Sequence, residues 1–273
     1  MIKSWVHPDT GRHLKFGRTQ VIARAPSLKL ARYLDMAALP PVPLSTDYRS
    51  KSEPFLHNIL GNDQLGDCTA AGAFHLSGNM LGAAGNSITY TAGDAIGFYS
   101  RSTGYVPGES WTDQGGNVPD VLNYWVQHGL MGDGSHKAAG WVTLDPTNKR
   151  ELQVSVDYFG GCYLGLCLPD AWEPQSGFGD GFTWDVAGDP DPSNGHCIVA
   201  IDYLTGGLIV DTWGDLGLLT WAAVAKYCSA SAGGEICGVV SHDALSQISG
   251  KSPTGLNGQQ FVADFDSFFG ATA

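Results

Sequence analysis

The chain is poor in charge. Only 15 % of its 273 residues are Asp, Glu, Lys or Arg, and 15 basic side chains against 27 acidic ones leave a formal net charge of −12. A surplus of acid argues against general binding to nucleic acid, whose phosphates need a basic face. No run of about 18 apolar residues occurs, so no membrane span is expected. The N-terminus lacks the apolar segment of a secretory signal, and there is no Asn-x-Ser/Thr acceptor. Among the six cysteines (Cys68, Cys162, Cys167, Cys197, Cys228 and Cys237) there is no CxxC pair, and there is no HExxH, so neither zinc nor any other cofactor is expected. Their spacing gives no disulfide framework. Cys162 and Cys167, five apart in a strand-like run, would face opposite ways. The thiols therefore read as buried apolar groups in a reducing, cytoplasmic setting.

What is present is enough apolar material for a sizeable core (43 % hydrophobic, 11 % aromatic) and 37 glycines for turns, the profile of a loop-rich α+β globule. Charge is uneven along the chain. Residues 1–35 carry Lys3, Arg12, Lys15, Arg18, Arg24, Lys29 and Arg32 against Asp9 and Asp35. Such a basic arm would lie on the acidic body or on an acidic partner. Three segments follow: an arm over 1–44 that ends in the stiff Leu39-Pro-Pro-Val-Pro43, a body over 45–245, and a linker with a terminal helix over 246–273.

The pattern predicts a short helix at 27–38, a small-residue helix at 68–83 with Asp67 as its N-cap, and a helix at 118–129 with Pro119 in its first turn. It predicts strands within 152–168. A hairpin is expected from 196–203 and 207–213 around Leu204-Thr-Gly-Gly207, then a helix at 220–229 and a strand at 236–241. Phe261, Val262, Phe265, Phe268 and Phe269 recur at helical spacing, so residues 259–270 should dock on the body or on a partner protein.

A thiol attacks well only as thiolate, which a helix N-terminus and a neighbouring histidine both favour. Cys68 is expected at such a terminus. His196 opens an apolar strand after the polar loop Gly188–Gly195, and Asp211 ends the next strand, where a carboxylate could orient the imidazole. His196 lies 128 residues beyond Cys68 and Asp211 lies 143 beyond it, close to the spacing of about 130–150 known between a papain-type nucleophile and its partners.

Five stretches in order carry a family resemblance. They are Thr46-Asp-Tyr-Arg49, Asn62-Asp-Gln-Leu-Gly-Asp-Cys68, Gln114-Gly-Gly-Asn117, Asn194-Gly-His-Cys-Ile-Val-Ala-Ile-Asp-Tyr203 and Ile209-Val-Asp-Thr-Trp-Gly214. They resemble the "VDWR" opening, the oxyanion-to-nucleophile segment, the "NGG" cleft wall, the His strand and the "KNSWG" strand of papain-like (clan CA) cysteine peptidases. The chain is also similar to bacterial and phage proteins with an NDxxGDC segment.

The resemblance implies a two-lobe α+β fold without a cofactor, Cys68 in the helical lobe and His196 and Asp211 in the β-rich lobe. It further implies Trp213 as a shield for the His–Asp contact, Asn62 as the oxyanion amide with Gln64 as the alternative, and Gly115 and Gly116 as backbone for an extended peptide substrate. The arm would occupy the place of a propeptide, inhibitory or docked elsewhere. The sequence departs from the family at Asp67 and Thr69 on either side of the nucleophile, and it turns helical after Gly214. Two readings follow: a hydrolase of peptide or isopeptide bonds, or a structural or interaction protein, virion-associated if of phage origin, with weak or no catalysis. Amide-transfer chemistry would use the same three groups. Gly250-Lys-Ser252 and Asp189–Ala200 resemble a P-loop and an EF-hand only in part, and neither motif is complete.

Overall fold

The structure is a computed structural model that describes residues 2–20, 27–242, 244–246 and 254–270. Arg24 and the Gly250-Lys251-Ser252 run lie outside these. A sheet of seven strands forms the spine, in the order β3 (Ala138–Thr143), β9 (Glu235–Ser241), β4 (Cys162–Cys167), β6 (Gly195–Leu204), β7 (Gly207–Thr212), β8 (Asp215–Thr220) and β5 (Phe182–Trp184). All neighbours are antiparallel except β5 and β8. The short helix α1 (Glu53–Leu56) and helices α2 (Cys68–Ala83), α3 (Ala92–Thr103) and α4 (Val118–His128) make one lobe. Its core meets one face of the sheet through Tyr163, Cys197, Val199 and Ile209. On the other face, Leu164, Ile198, Ala200 and Val210 pack with the arm strands β1 (Ser4–Val6) and β2 (His13–Lys15), α5 (Lys149–Phe159), α6 (Trp221–Tyr227) and the C-terminal helix Gly258–Phe269.

Local chemistry sets the ends of these elements. Asn117 accepts from Asp120 N at the start of α4, and Thr220 accepts from Ala223 N at the start of α6. Small residues bring α2 close to the sheet: a Cβ on Gly72 would sit 3.3 Å from Cys197 Sγ and from the Tyr163 ring. β7 and β8 join through Trp213 (φ +52°) and Gly214 (φ +82°), the two positive φ values that a tight type I′ connection needs.

Three expectations change. Residues 149–159 are helical, not extended: Asn148 caps the start, Gly160 (φ +84°) closes the end, and Leu152, Val156 and Phe159 form one buried stripe. The chain after Gly214 first continues as strand β8 and only then turns helical at Trp221. The pattern at 27–38 shrinks to a single 3-10 turn, Leu30–Arg32. No disulfide joins any of the six cysteines, all of them buried. The C-terminal helix docks on its own chain, with Phe261 and Phe265 buried against Tyr33, Phe159 and β3. Among the described residues no helix is long and apolar enough to cross a membrane, and no cluster of His, Cys, Asp and Glu is placed to hold a metal ion.

Candidate active site

Cys68 is the first residue of α2, so its sulfur sits at the positive end of that helix. Asp67 precedes it but makes no capping bond. Its carboxylate is fully buried, and burial raises its pKa well above the usual range against the pull of the Asn62 amide, which favours the neutral acid. The expected cap is thus absent, and a neutral Asp67 opposes a thiolate less than an ionised one would.

Cys68 shares a small cavity, about 10 Å³, with Asn62, His75, His196, Asp211, Thr212 and Trp213. That volume is about one water. His196 Nε2 lies 2.9 Å from Thr212 Oγ1. With Nε2–H donating to that hydroxyl, Nδ1 keeps its lone pair and has no protein partner. The Trp213 indole stacks on the imidazole at 4.2 Å and 20° between planes. Cys68 and His196 are both 1 % exposed. No hydrogen bond joins the thiol to the imidazole, whose Nδ1 stays unbonded. Burial pushes the Cys68 thiol up to about 12, against the pull of the Cys197 backbone N–H, and burial takes His196 down to about 3.

Asp211 does not meet His196. Its Oδ2 lies 3.2 Å from Nδ1 of His75, on α2, and His75 Nε2 lies 2.7 Å from Asn58 O. The physical reason is a bulge. The hairpin pairs Leu204 with Gly207 and Asp202 with Ile209. The register then slips by one between Ala200 and Asp202, so that Asp211 pairs with Val199. The slip turns Asp211 toward α2 and leaves its neighbour Thr212 on the face of His196. With Nε2–H spent on Asn58, His75 Nδ1 is an acceptor. Burial raises Asp211 well above the carboxylate range and lowers His75 to about 4, favouring the neutral form of both.

Asn62 reaches the cavity, with one amide hydrogen donated to Leu65 O at 3.0 Å. Gln64 is exposed and lines none of it.

The arm fills the cleft. Gly17 N and Arg18 N each donate to Gly195 O at 3.0 Å, Gly116 N donates to Gly17 O at 2.8 Å, and Thr19 N donates to Gly116 O at 3.0 Å. Residues 17–19 thus lie as an extra strand between the Gly115-Gly116 wall and the start of β6. Side chains at Gly17, Gly115 or Gly195 would collide with backbone there, which explains why glycine occupies both walls and the strand between them. Phe16 sets its ring edge against His196 at 6.0 Å, and Lys15 O accepts from the Trp213 indole. Three basic side chains of the arm meet carboxylates of the body: Lys3 with Asp170 and Asp191, Arg12 with Asp215, and Arg18 with Glu235.

Three residues escape the motif reading: His75, Thr212 and Arg18. Only the seven-residue step from Cys68 to His75, two helical turns, could have placed His75 on the nucleophile's side of α2.

Comparison with solved structures places the architecture. Xylellain, a cysteine protease from Xylella fastidiosa, superposes with a TM-score of 0.62 at 11 % identity, covering 83 % of this chain and 96 % of that one. The chain has a papain-like fold. The mite allergens Blo t 1 and Der p 1 (TM-score 0.54, 13 % identity, 79 % and 75 % covered) and procathepsin L2 proteinase from Tenebrio molitor larval midgut (0.52, 13 %, 74 % and 69 %) share it. No protein-family model matches the chain, and no curated protein matches its sequence. In this papain-like frame the two lobes are the two cores described above, and the arm lies in the cleft between them.

Proposed function

We propose that the protein is a latent cysteine peptidase that hydrolyses peptide or isopeptide bonds, with Cys68 as nucleophile, His196 as base and residues 15–19 as a built-in blocking strand. One observation carries this reading: a thiol at a helix N-terminus and an imidazole with an unbonded Nδ1 line the same water-sized cavity beneath a strand of the chain itself.

Release of the strand lets water in and relaxes the desolvation that keeps both groups neutral. The Cys68 proton then passes to His196 Nδ1, and the α2 N-terminus stabilises the thiolate. Thiolate attack on the scissile carbonyl gives an oxyanion that faces the Cys68 N–H and the Asn62 side-chain amide. His196 returns its proton to the leaving amine, and water hydrolyses the acyl thioester. In this scheme Thr212 and Trp213 hold the ring, and Asp211 acts only through His75.

A second reading has an observation of its own. A sealed cleft and a thiol held near 12 also suit a protein that keeps the fold for interaction, as in a virion, with little or no catalysis. Alkylation with a small electrophile between about pH 5 and 8, mapped by mass, separates the two. Gly17→Ala clashes with Gly66 O and should unseat the strand. The peptidase reading expects rapid single labelling of that variant at Cys68, persisting to acidic pH and lost on adding His196→Ala. Labelling that stays slow and ignores His196 would overturn it in favour of the interaction reading.

A further inference from the structure

Among the described residues of the arm, Arg18 is the most deeply buried basic residue. Its backbone lies opposite Gly116, and its side chain, 1 % exposed, enters the body. There Nε and Nη2 reach Glu235 Oε1 at 3.1 and 2.8 Å, Nη2 also donates to Gly233 O at 2.7 Å, and Nη1 lies 3.7 Å from Cys167 Sγ. The pocket is built for this shape. Gly165 forms its floor, and a Cβ there would press on Arg18 Nε and lie 2.9 Å from the Glu235 carboxylate. Glu235 stands at the start of β9, between β3 and β4 in the sheet, and its side chain is only 9 % exposed. Once the arm leaves, that carboxylate lacks its cation, and a buried carboxylate without a partner is strongly unfavourable. A cationic side chain seated across from Gly116 in place of the arm would restore that pairing.

We infer that the pocket now filled by Arg18 is a specificity subsite, and that the substrates are peptides with a basic side chain, arginine ahead of lysine, at the residue seated opposite Gly116. The statement rests on the peptidase reading for the word substrate. The preference for arginine follows from the fork, since one planar guanidinium meets both Glu235 and the Gly233 carbonyl, and an ammonium meets them less well.

The test uses the full-length Arg18→Ala chain and four fluorescent peptides that differ only in Arg, Lys, Leu or Glu at one position. Binding is read by anisotropy and cleavage separately by mass. The arginine peptide should bind about tenfold or more tighter than the leucine peptide, with the glutamate peptide weakest. Glu235→Gln should erase that order, and Gly165→Val, which fills the floor, should block the arginine peptide selectively. Equal affinity for Arg and Leu, no binding of the arginine peptide, or a preference indifferent to Glu235→Gln would overturn the inference. Selective binding without cleavage or Cys68 labelling would overturn the peptidase reading and leave the subsite standing. Cleavage without arginine preference would do the reverse. If Arg18→Ala fails to fold, Gly17→Ala, which unseats Arg18 while retaining it, takes the same panel.

Discussion

His196 and His75 line one small cavity, and burial holds both neutral, yet between about pH 4 and 6.5 only one of them should leave a mark on pH-dependent stability. The His75–Asp211 pair holds one proton whichever partner carries it. The separated residues also hold one between about pH 4 and 6.5, so the pair adds no slope there. His196 has no acidic partner. Its folded pKa of about 3 lies below the ordinary value of 6.5, so between those limits the unfolded chain binds the extra proton. Stability from this group is therefore complete above about pH 6.5 and is lost as the pH falls toward 3, with a slope of at most about 1.4 kcal/mol per pH unit. Denaturant midpoints of wild type and His196→Gln should converge as the solution is acidified through that window. A stability difference constant with pH would mean that the ring is not held neutral. At this scale Cys68, His196 and Trp213 are legible from motif and spacing. Plain counting back from the Leu204–Gly207 turn puts Asp211 on the His196 face. Thr212 is there instead because one extra residue in β6 shifts the register, and no residue in 200–202 is a glycine or proline that would announce it.

Among the elements, α2, α4, the β6–β7 hairpin, α6, β9 and the terminal helix are all legible, because capping residues, turn glycines and phenylalanines at helical spacing point the same way. α5 is not. Val154, Val156 and Tyr158 alternate as a strand would, and only Asn148 and Gly160 at its ends betray the helix, since burial on nearly every side blurs the 3.6-residue period. The C-terminal helix packs on its own chain. Phe265, 1 % exposed, packs between Phe261 and Phe269 and over Gly140 of β3, where a Cβ would press 2.5 Å from its ring. Phe265→Ala should cost about 3–5 kcal/mol in urea unfolding. The exposed Phe268 on the same helix should tolerate alanine within about 0.5 kcal/mol. Equal tolerance at both positions would mean that the helix is not docked in solution.

Over the whole molecule, the uneven charge seen in the sequence becomes a device: a basic arm seated on an acidic body, its course through the cleft fixed by backbone bonds to Gly116 and Gly195. The ion pairs along it are unequal. Those of Lys3 and Arg12 are solvent-exposed to part-exposed, and pairs of that kind contribute about 0–1 kcal/mol and weaken with salt. The Arg18–Glu235 pair is buried, and breaking such a pair by removing one partner costs about 3–5 kcal/mol. If the arm is what seals Cys68, its alkylation rate at pH 7 reports the open fraction. Lys3→Ala and Arg12→Ala should each raise that rate by no more than about fivefold, an effect that 1 M salt mimics in the wild type. Arg18→Ala should raise it by about a hundredfold or more at any salt concentration. Glu235→Gln should do nearly the same, because the guanidinium then loses its counter-charge in a dry site. Equal, salt-sensitive effects at all three arm positions would mean that the arm is held by its surface charge alone. The strand between Gly17 and Thr19 would then be one weak contact among several, and Arg18 would not be the anchor.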